Sequence, residues 1–462
     1  MKTVKLHIWH ISLCTLLAAF LFSCKKQDQF LNALPNENLA VPNTLSDLQL
    51  MIQNDQLFNA QDPGWGQESS DDGFTTTNFF LRNTPLDQNI FIWEKNIYPD
   101  QVTGSPDWSL SYQQVFYANT ILEALEKINP TSSQTLQFNT IKGSALFFRA
   151  KAFYNLLQEF AKPFNSNTAN TDMGIPLRVS SDFNKKYPRA SVKACYDQVI
   201  GDMQAALNLL PNTSTLITLP NKISANGFLA RIYLTMSDYK NAFSYSNASL
   251  SSYNTLTDYN SLNIGDFPIT NSPLAEDVFH CVTLNYFLSN VNHVMVDSSL
   301  YNSYDNNDLR KSIFFFQNLS FYSFWGTYDV LQTNFSFDGI ATDEMYLIRA
   351  ESNARLGNVS DAMNDLNALL VKRYITNTFV PRVAANSSDA LTQILTERRK
   401  ELVWRGLRWS DLRRLNQEPQ FAITLKRYVN GITYTLPPND PRYTLPIPPQ
   451  EIILTGIQQN PR

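Results

Sequence analysis

Histidine, cysteine and glycine are scarce in this chain of 462 residues, which has four histidines, four cysteines and 15 glycines. Beyond the N-terminal segment only His280 and His293 remain, and neither stands at a metal-ligand spacing from a second ligand. The sequence also lacks a phosphate-binding loop, a dinucleotide fingerprint and a nucleophile elbow. It therefore predicts no catalytic residue of these kinds, no metal site and no cofactor.

An excess of positive charge is also missing, since 37 lysines and arginines stand against 41 aspartates and glutamates. Without residues 1–23, which contribute only Lys2 and Lys5, the balance becomes 35 against 41, a net charge of −6. A mildly acidic chain does not attract nucleic acid. We therefore predict no nucleic-acid partner.

The first two dozen residues have the order of a secretory signal, with two lysines before an apolar run from Ile11 to Phe22. This run is too short to span a bilayer comfortably. It ends in Leu21-Phe22-Ser23-Cys24, which resembles the lipobox of bacterial lipoproteins. We predict a signal peptide at residues 1–23 and attachment to membrane lipid through Cys24. An ordinary signal peptide with an accidental cysteine is the alternative.

Two cysteines remain once Cys14 leaves with the signal and Cys24 is lipidated, namely Cys195 and Cys281. A chain of this size can bury a large core without a cross-link, which favours two buried thiols. A disulfide between them is the alternative in an oxidising envelope.

Helical spacing of apolar residues predicts three long helices, at 112–128, at 138–160 and from just after Arg189, with Ser191 as its cap, to Leu210. Two further segments share one plan, a helix, a tight turn and a second helix. They are 223–236 with 239–250 and 342–356 with 359–374.

Small residues stand twelve apart in both segments, Ala230 with Ala242 and Ala350 with Ala362. Small residues at matched positions allow two antiparallel helices to approach closely, as in tetratricopeptide repeats. The sequence thus predicts an all-α fold with tetratricopeptide-like hairpins. The periodicity fails at about 35–107 and 251–338, which we predict to be long irregular loop excursions with a functional role.

Specific motifs appear in the C-terminal third. They are Glu397-Arg398-Arg399-Lys400-Glu401-Leu402, Arg405-Gly406-Leu407-Arg408-Trp409, Asp411-Leu412-Arg413-Arg414, Leu445-Pro446-Ile447-Pro448-Pro449-Gln450-Glu451 and Gln458-Gln459-Asn460-Pro461. These motifs resemble the signature and ending of the SusD/RagB family. Weaker matches reach upstream to Phe30-Leu31, Gly174-Ile175-Pro176-Leu177 and Asp308-Leu309-Arg310, so the resemblance covers nearly all of the mature chain.

The resemblance implies a single SusD-like α-α superhelical domain over residues 24–462. It consists of an N-terminal part at about 24–220 and a C-terminal part at about 221–462, with the signature at 397–414. It also implies a lipid-anchored protein at the surface of the outer membrane, which is not an enzyme and passes a nutrient to a SusC-like TonB-dependent transporter. It does not fix the ligand.

The signature itself has a structural interpretation. A helix rich in glutamate and arginine that ends at Gly406 places Glu397 and Glu401 near Arg398, Arg405 and Arg408. We expect ion pairs around this helix end, with Arg408 and Asp411 tying helices together.

Sugar binding needs an aromatic face for the C–H groups of a pyranose and polar groups for its hydroxyls. The two excursions supply both kinds of residue. The candidate ligand-binding residues are Trp65, Asp72, Asn78, Arg82, Tyr98, Tyr322, Trp325 and Tyr328. Asp71, Asp72 and Glu68 could instead cap helices or bind a cation.

The function that we predict from the sequence is nutrient capture, with a glycan as ligand. A peptide or other non-glycan cargo is the first alternative. A secreted all-α glycosidase also stays open, since its pair of carboxylates would leave no motif. A repeat scaffold that binds protein would instead need an exposed apolar groove.

Overall fold

The computed structural model of the protein describes residues 42–263, 272–284, 286, 293–328 and 335–462. The predicted signal peptide and the lipid anchor at Cys24 lie outside these residues. The fold below is that of the compact unit Leu45–Arg462. None of the described helices combines the length and the apolar character that crossing a bilayer requires.

Helices dominate the described residues. In chain order they are α1 Leu45–Ile52, α2 Asp55–Phe58, α3 Trp65–Ser69, α4 Thr77–Leu81, α5 Pro85–Phe91, α6 Pro106–Leu125, α7 Thr135–Phe160, α8 Val192–Leu209, α9 Lys222–Thr235, α10 Tyr239–Ser252, α11 Ser298–Asn302, α12 Arg310–Ile313, α13 Thr342–Arg355, α14 Val359–Leu370, α15 Ser387–Glu401, α16 Arg408–Leu415 and α17 Pro449–Thr455.

Short antiparallel strand pairs complete the fold. The strands are β1 Gly73–Phe74, β2 Met173–Pro176, β3 Arg189–Ser191, β4 Asp277–Phe279, β5 Met295–Val296, β6 Phe315–Asn318, β7 Phe321–Phe324, β8 Ile340–Ala341, β9 Leu425–Val429 and β10 Ile432–Leu436. The pairs are β1 with β5, β2 with β3, β4 with β8, β6 with β7 and β9 with β10.

The three long helices are confirmed, and α7 packs between α6 and α8. Helix α8 begins as predicted, since the Ser191 hydroxyl accepts a hydrogen bond from the Ala194 N–H at 3.1 Å. The predicted start of α6 at residue 112 is wrong by six residues. Ser105 caps the helix by accepting from the Trp108 N–H, and Pro106 stands in the first turn, where its missing N–H costs nothing.

Both predicted hairpins are confirmed. Helix α9 packs on α10 and α13 on α14, and α10 also packs on α13, so the hairpins stack side by side. The four alanines that stand twelve apart, Ala230, Ala242, Ala350 and Ala362, are all fully buried. Gly357 connects α13 to α14 with a φ of +89°, a left-handed conformation that suits glycine.

The first excursion is more regular than predicted, because five short helices, α1 to α5, occupy residues 45–91. Several of their caps were readable from the sequence: Thr84 accepts from the Asp87 N–H, and Pro85 follows it at the first helical position. Helices of four to eight residues are too short for a periodic pattern to stand out.

The signature forms a buried ion network. Asp411 binds Arg398 at 2.7 Å and Arg414 at 2.9 Å, so it ties α15 to α16 as predicted. The predicted pairing of Glu397 and Glu401 with Arg398, Arg405 and Arg408 is wrong. Glu397 and Glu401 bind Arg310, which starts α12, at 2.7 and 2.8 Å. Sequence distance hid this pairing, since 87 residues separate Arg310 from Glu397.

Cys195 and Cys281 are two free, buried thiols, as the size of the chain favours. Burial raises the pKa of the Cys195 thiol to about 11, so this side chain stays neutral in the core.

Candidate ligand-binding cleft

The two excursions meet where β1 pairs with β5. Gly73 lies opposite Val296 and Phe74 opposite Met295. A side chain at position 73 would come within 2.9 Å of both the Met295 carbonyl oxygen and the Trp404 ring, so this approach requires glycine. An apolar cluster beneath the junction includes Phe324 stacked on Trp404, with ring centroids 5.2 Å apart. The junction is thereby a fixed platform rather than a loose loop.

A cleft of about 570 Å³ opens beside this junction, between the segment 71–77, the β7 strand and the β9–β10 hairpin. Five aromatic residues line it, namely Phe74, Phe91, Trp93, Phe321 and Tyr428. Five residues with hydroxyl groups also line it, namely Thr75, Thr76, Thr77, Ser299 and Thr424. The charged residues of the lining are Asp71, Asp297, Arg399, Lys426 and Arg427. The volume falls within the range of small-molecule sites.

Two aromatic rings of the cleft reach solvent. Phe321 is 38% exposed and meets Phe74 edge-on, with ring centroids 5.1 Å apart. Tyr428 is 73% exposed and also lines the cleft. Exposed aromatic faces beside hydroxyl groups form a surface that could stack a flat apolar ligand face and bind polar groups at its edge.

Asp71 stands at the floor with a fixed charge. Its carboxylate accepts from Arg408 at 2.6 and 3.0 Å and pairs with Arg399 at 3.1 Å. Burial alone would raise the pKa of Asp71, but Arg408 and Arg399 outweigh it and hold the pKa well below its usual range. Asp71 is therefore an ion-pair partner of the signature, not a helix cap.

The neighbouring Asp72 has the opposite environment. It is 1% exposed, and its carboxylate accepts from Gln67 at 3.2 Å and from the Trp404 N–H at 3.4 Å, while no described arginine forms a salt bridge with it. Burial, together with the charge of Asp71, raises the pKa of Asp72 to about 6. The charged form of Asp72 is thus unfavourable in the folded protein.

Replacement of Asp72 by asparagine should stabilise the protein at high pH. In the wild type the folded pKa lies above the unfolded value of 3.8, so stability is lost as pH rises through 6. We expect Asp72→Asn to gain about 1–3 kcal/mol of unfolding free energy at pH 8 and almost nothing at pH 4. Urea unfolding at the two pH values measures this, and a variant less stable than wild type at pH 8 would contradict it.

Four of the eight predicted ligand residues are buried. Trp65 is 0%, Asp72 1%, Tyr328 2% and Tyr98 5% exposed. Tyr98 donates its hydroxyl to the Pro446 carbonyl at 3.0 Å and Tyr328 donates to Glu276 at 2.6 Å. These side chains offer no face to a ligand in this conformation.

The other four predicted residues reach the surface. Asn78 and Arg82 are exposed at α4, and Tyr322 and Trp325 are half-buried at β7 and just after it. Tyr322 stacks on Tyr301 with ring centroids 3.7 Å apart. None of the eight lines the cleft, although Asp72, Asn78 and Tyr322 each adjoin a residue that does. As ligand-binding residues, all eight stay predictions.

Sequence reasoning missed the β9–β10 hairpin at the rim. Its signal was present in the alternation of Leu425 to Val429 followed by Asn430-Gly431, a pair typical of two-residue hairpin turns. Both turn residues have positive φ, 53° and 75°. Strand alternation also explains why Phe321 lines the cleft while the predicted Tyr322 does not, since adjacent residues of β7 point to opposite faces.

A larger cleft of about 680 Å³ lies elsewhere, between the end of α7, the end of α16 and the C-terminal segment. Its single aromatic residue, Tyr443, is 3% exposed and stacks on Trp409. Its amides already serve the fold, as when Asn165 donates to Gln417 at 2.9 Å. We therefore favour the smaller cleft as the ligand site, because it combines open aromatic faces with exposed polar side chains, those of Ser299, Thr424 and Lys426.

Two buried clusters within the described residues have the spacing of metal ligands, Glu276 with Asp343 and Glu401, and Asp62 with Cys281 and Asp338. Arg373 binds Glu276 at 2.9 Å and Glu401 at 2.7 Å, and Lys151 pairs with Asp62. These cations already pair with carboxylates of both clusters.

Comparison with known proteins agrees with the fold. A family model described as "Starch-binding associating with outer membrane" matches residues 29–234, and a model described as the SusD family matches residues 342–462. The fold and the motifs thus define this chain as a helical, tetratricopeptide-like protein. The chain belongs to the SusD/RagB family.

A SusD-like protein P2 from Formosa agariphila is 28% identical over 135 residues, which make up 29% of this chain. The matched part covers 25% of that protein, so the chain spans about a quarter of this relative's length.

Solved structures share the fold. A SusD superfamily protein from Bacteroides thetaiotaomicron superposes with a TM-score of 0.72 at 23% identity, over 91% of this chain and 100% of the other. A SusD superfamily protein from Bacteroides vulgatus gives 0.73 at 19% identity, over 91% and 99%. A SusD-like carbohydrate binding protein from the same species gives 0.67 at 19% identity, over 90% and 97%. The all-α fold predicted from the sequence is confirmed.

Proposed function

We propose that this protein is a cell-surface nutrient-binding lipoprotein that holds a glycan in the 570 Å³ cleft beside the β1–β5 junction. The observation that carries the proposal is the exposed pair of rings, Phe321 and Tyr428, at the edges of a cleft lined by hydroxyl and charged groups. Sugars offer both a patch of C–H groups and a rim of hydroxyls, which this combination fits.

The surroundings of the cleft suit an oligosaccharide better than a single sugar. A neighbouring groove of about 390 Å³ shares Ser299, Arg399 and Ile423 with the cleft. It runs along α15 and contains the half-buried ring of Phe421. A chain of sugars could therefore extend from the cleft into the neighbouring groove.

The relatives support the same ligand class. One matching family is described as starch-binding and outer-membrane associated, and one solved relative is a carbohydrate binding protein. By the same family likeness we infer a surface position in the outer membrane, anchored through Cys24, and a SusC-like TonB-dependent transporter as the partner that receives the glycan.

The carboxylates of the cleft favour binding over hydrolysis. A glycosidase needs a general acid with a raised pKa at the scissile bond. Asp71 has a lowered pKa, and Asp297 caps α11 by accepting from the Leu300 N–H at 2.9 Å. Asp72 has a raised pKa but is buried and does not line the cleft.

Titration of the full chain against starch, dextran, pectin and host glycans tests the proposal, with reducing ends measured in parallel. Binding without release of sugar is the expected result. Release of sugar would favour the glycosidase, and binding of peptides but of no glycan would favour the alternative cargo.

Replacement of Cys24 by serine tests the anchor. Because attachment would rest on acyl chains that contribute about 0.8 kcal/mol per buried methylene, we expect the variant to leave the membrane fraction almost completely. Fractionation of cells with an antibody against the chain measures this. Cys14→Ser is the matched control, and equal membrane retention of Cys24→Ser and wild type would contradict the anchor.

A further inference from the structure

The cleft is locally basic although the chain as a whole is acidic. Arg399, Lys426 and Arg427 line it together with only two carboxylates, those of Asp71 and Asp297. The chain has 37 basic against 41 acidic residues, so this balance is reversed at the cleft. An excess of one charge in a concave site attracts ligands of the other sign.

Arg427 is the first cation of the cleft without a salt bridge to a described carboxylate, although the nearby carboxylates of Glu68 and Asp71 partly offset its charge. It is 5% exposed, and its guanidinium lies 3.8 Å from the ring centroid of Phe91 and 4.6 Å from that of Trp93. It donates to the backbone carbonyl oxygens of Phe91, Glu68 and Ser70. These are the carbonyls at the ends of α3 and α5, and no carboxylate of the described residues pairs with it.

Burial lowers the pKa of Arg427 to about 9, so the side chain is still charged at pH 7. An anion that entered the cleft would offset this penalty. Arg399 adds a free donor, since its buried Nε has no hydrogen-bond partner among the described residues.

Lys426 is the second such cation. It is exposed on β9 and forms no ion pair with any described carboxylate. Strand alternation places it on the same face as Tyr428, about 7 Å away along the strand. Across the hairpin, Thr435 lies opposite Lys426 and Thr433 opposite Tyr428. This face thus presents an aromatic ring, an ammonium group and two exposed hydroxyls.

The two described carboxylates that line the cleft contact arginines other than Arg427. Asp71 is held by Arg408 and Arg399. The Asp297 carboxylate caps α11 and lies 3.8 Å from the Arg399 guanidinium. The positive charge of the exposed Lys426 is therefore available to a ligand, and the buried Arg427 adds to the positive potential of the cleft.

We propose that the cleft selects anionic glycans, whose carboxylate or sulfate groups pair with Lys426 at the rim, while Arg399 and Arg427 add to the positive potential of the cleft. This inference rests on the proposed glycan-binding function and narrows its ligand class. The acidic group would meet Lys426 while a neighbouring sugar ring covers Tyr428.

Matched polymers test this selectivity in titrations of the full chain at 50 and 200 mM NaCl. Polygalacturonate is compared with its methyl ester, and dextran sulfate with dextran, so that the members of each pair share a backbone and differ in charge. At 50 mM NaCl we expect the charged member of at least one pair to bind about tenfold tighter than its neutral counterpart. The pair that discriminates identifies carboxylate or sulfate as the recognised group.

Lys426→Gln should weaken binding of the charged polymer by about five- to tenfold and weaken binding of the neutral member much less. Lys240→Gln, an exposed lysine on α10 outside the cleft lining, is the matched control. Phe321→Ala should weaken binding of the same charged polymer, which excludes unspecific attraction of a polyanion.

Three outcomes overturn the inference. Equal affinity for both members of both pairs would leave a glycan carrier without charge selection, so the proposed function would survive. Equal losses in Lys426→Gln and Lys240→Gln would place the charged contact outside the cleft. Failure of every polymer and every glycan to bind would overturn the proposed function as well.

Discussion

Replacement of Arg310 by alanine should destabilise the protein by about 3–5 kcal/mol, a large share of the stability of a typical domain. The side chain is fully buried and binds Asp308 at 2.6 Å, Glu397 at 2.7 Å and Glu401 at 2.8 Å. Removal would take away a counter-charge that three buried carboxylates share. Part of the counter-charge would remain, because Lys400 contacts Asp308 and Arg373 contacts Glu401.

Urea unfolding of the variant measures this effect. Arg310→Lys should lose less than Arg310→Ala, because it keeps the charge but not the forked geometry that reaches three acids at once. Lys193→Ala is the matched control, since the Lys193–Asp197 pair is exposed and its loss should cost less than about 1 kcal/mol. Equal stability of Arg310→Ala and this control would contradict the role of the network.

Replacement of Phe321 by alanine should abolish most glycan binding without harming the fold. The ring is 38% exposed and contacts Phe74 at the open side of the cleft. Loss of an aromatic anchor at the centre of a contact costs about 2 kcal/mol or more, which corresponds to an affinity at least about 30-fold weaker. Stability should change little, because the ring is not in the core.

Isothermal titration with a glycan that binds the wild type measures this loss. Phe183→Ala is the matched control, since that ring is 87% exposed outside the cleft lining. Trp325→Ala tests the residue that the sequence favours, which lies beside Phe316 with ring centroids 4.7 Å apart. A loss in Trp325→Ala but not in Phe321→Ala would move the site away from the cleft.

The helical scaffold was predictable because its signals are local. Apolar spacing, the Ser191 cap and the small residues of the two hairpins are read within about 35 residues of sequence, and the structure confirms them. Where the prediction failed, at the start of α6, a local signal was also present in Ser105-Pro106. The single-domain assignment of residues 24–462 stays a prediction.

The cleft was less predictable because it depends on contacts between distant segments. Phe74 meets Phe321 across 247 positions, and no spacing in the sequence announces that pairing. Aromatic residues in irregular segments look alike whether they stack on a ligand or fill the core. Trp65 is fully buried against Tyr98 and Tyr286, while Phe321 is open beside Phe74, and only these long-range contacts distinguish the two residues.

Hydrogen exchange of the full chain, with and without the tightest-binding glycan, tests the central claim most directly. A glycan held in the cleft should slow exchange of backbone amides in 71–77, 297–299, 321–324 and 424–429, the segments that line it. The larger cleft at 162–173 and 439–444 should show no change. Protection confined to the larger cleft, or spread evenly over the chain, would contradict the proposed site.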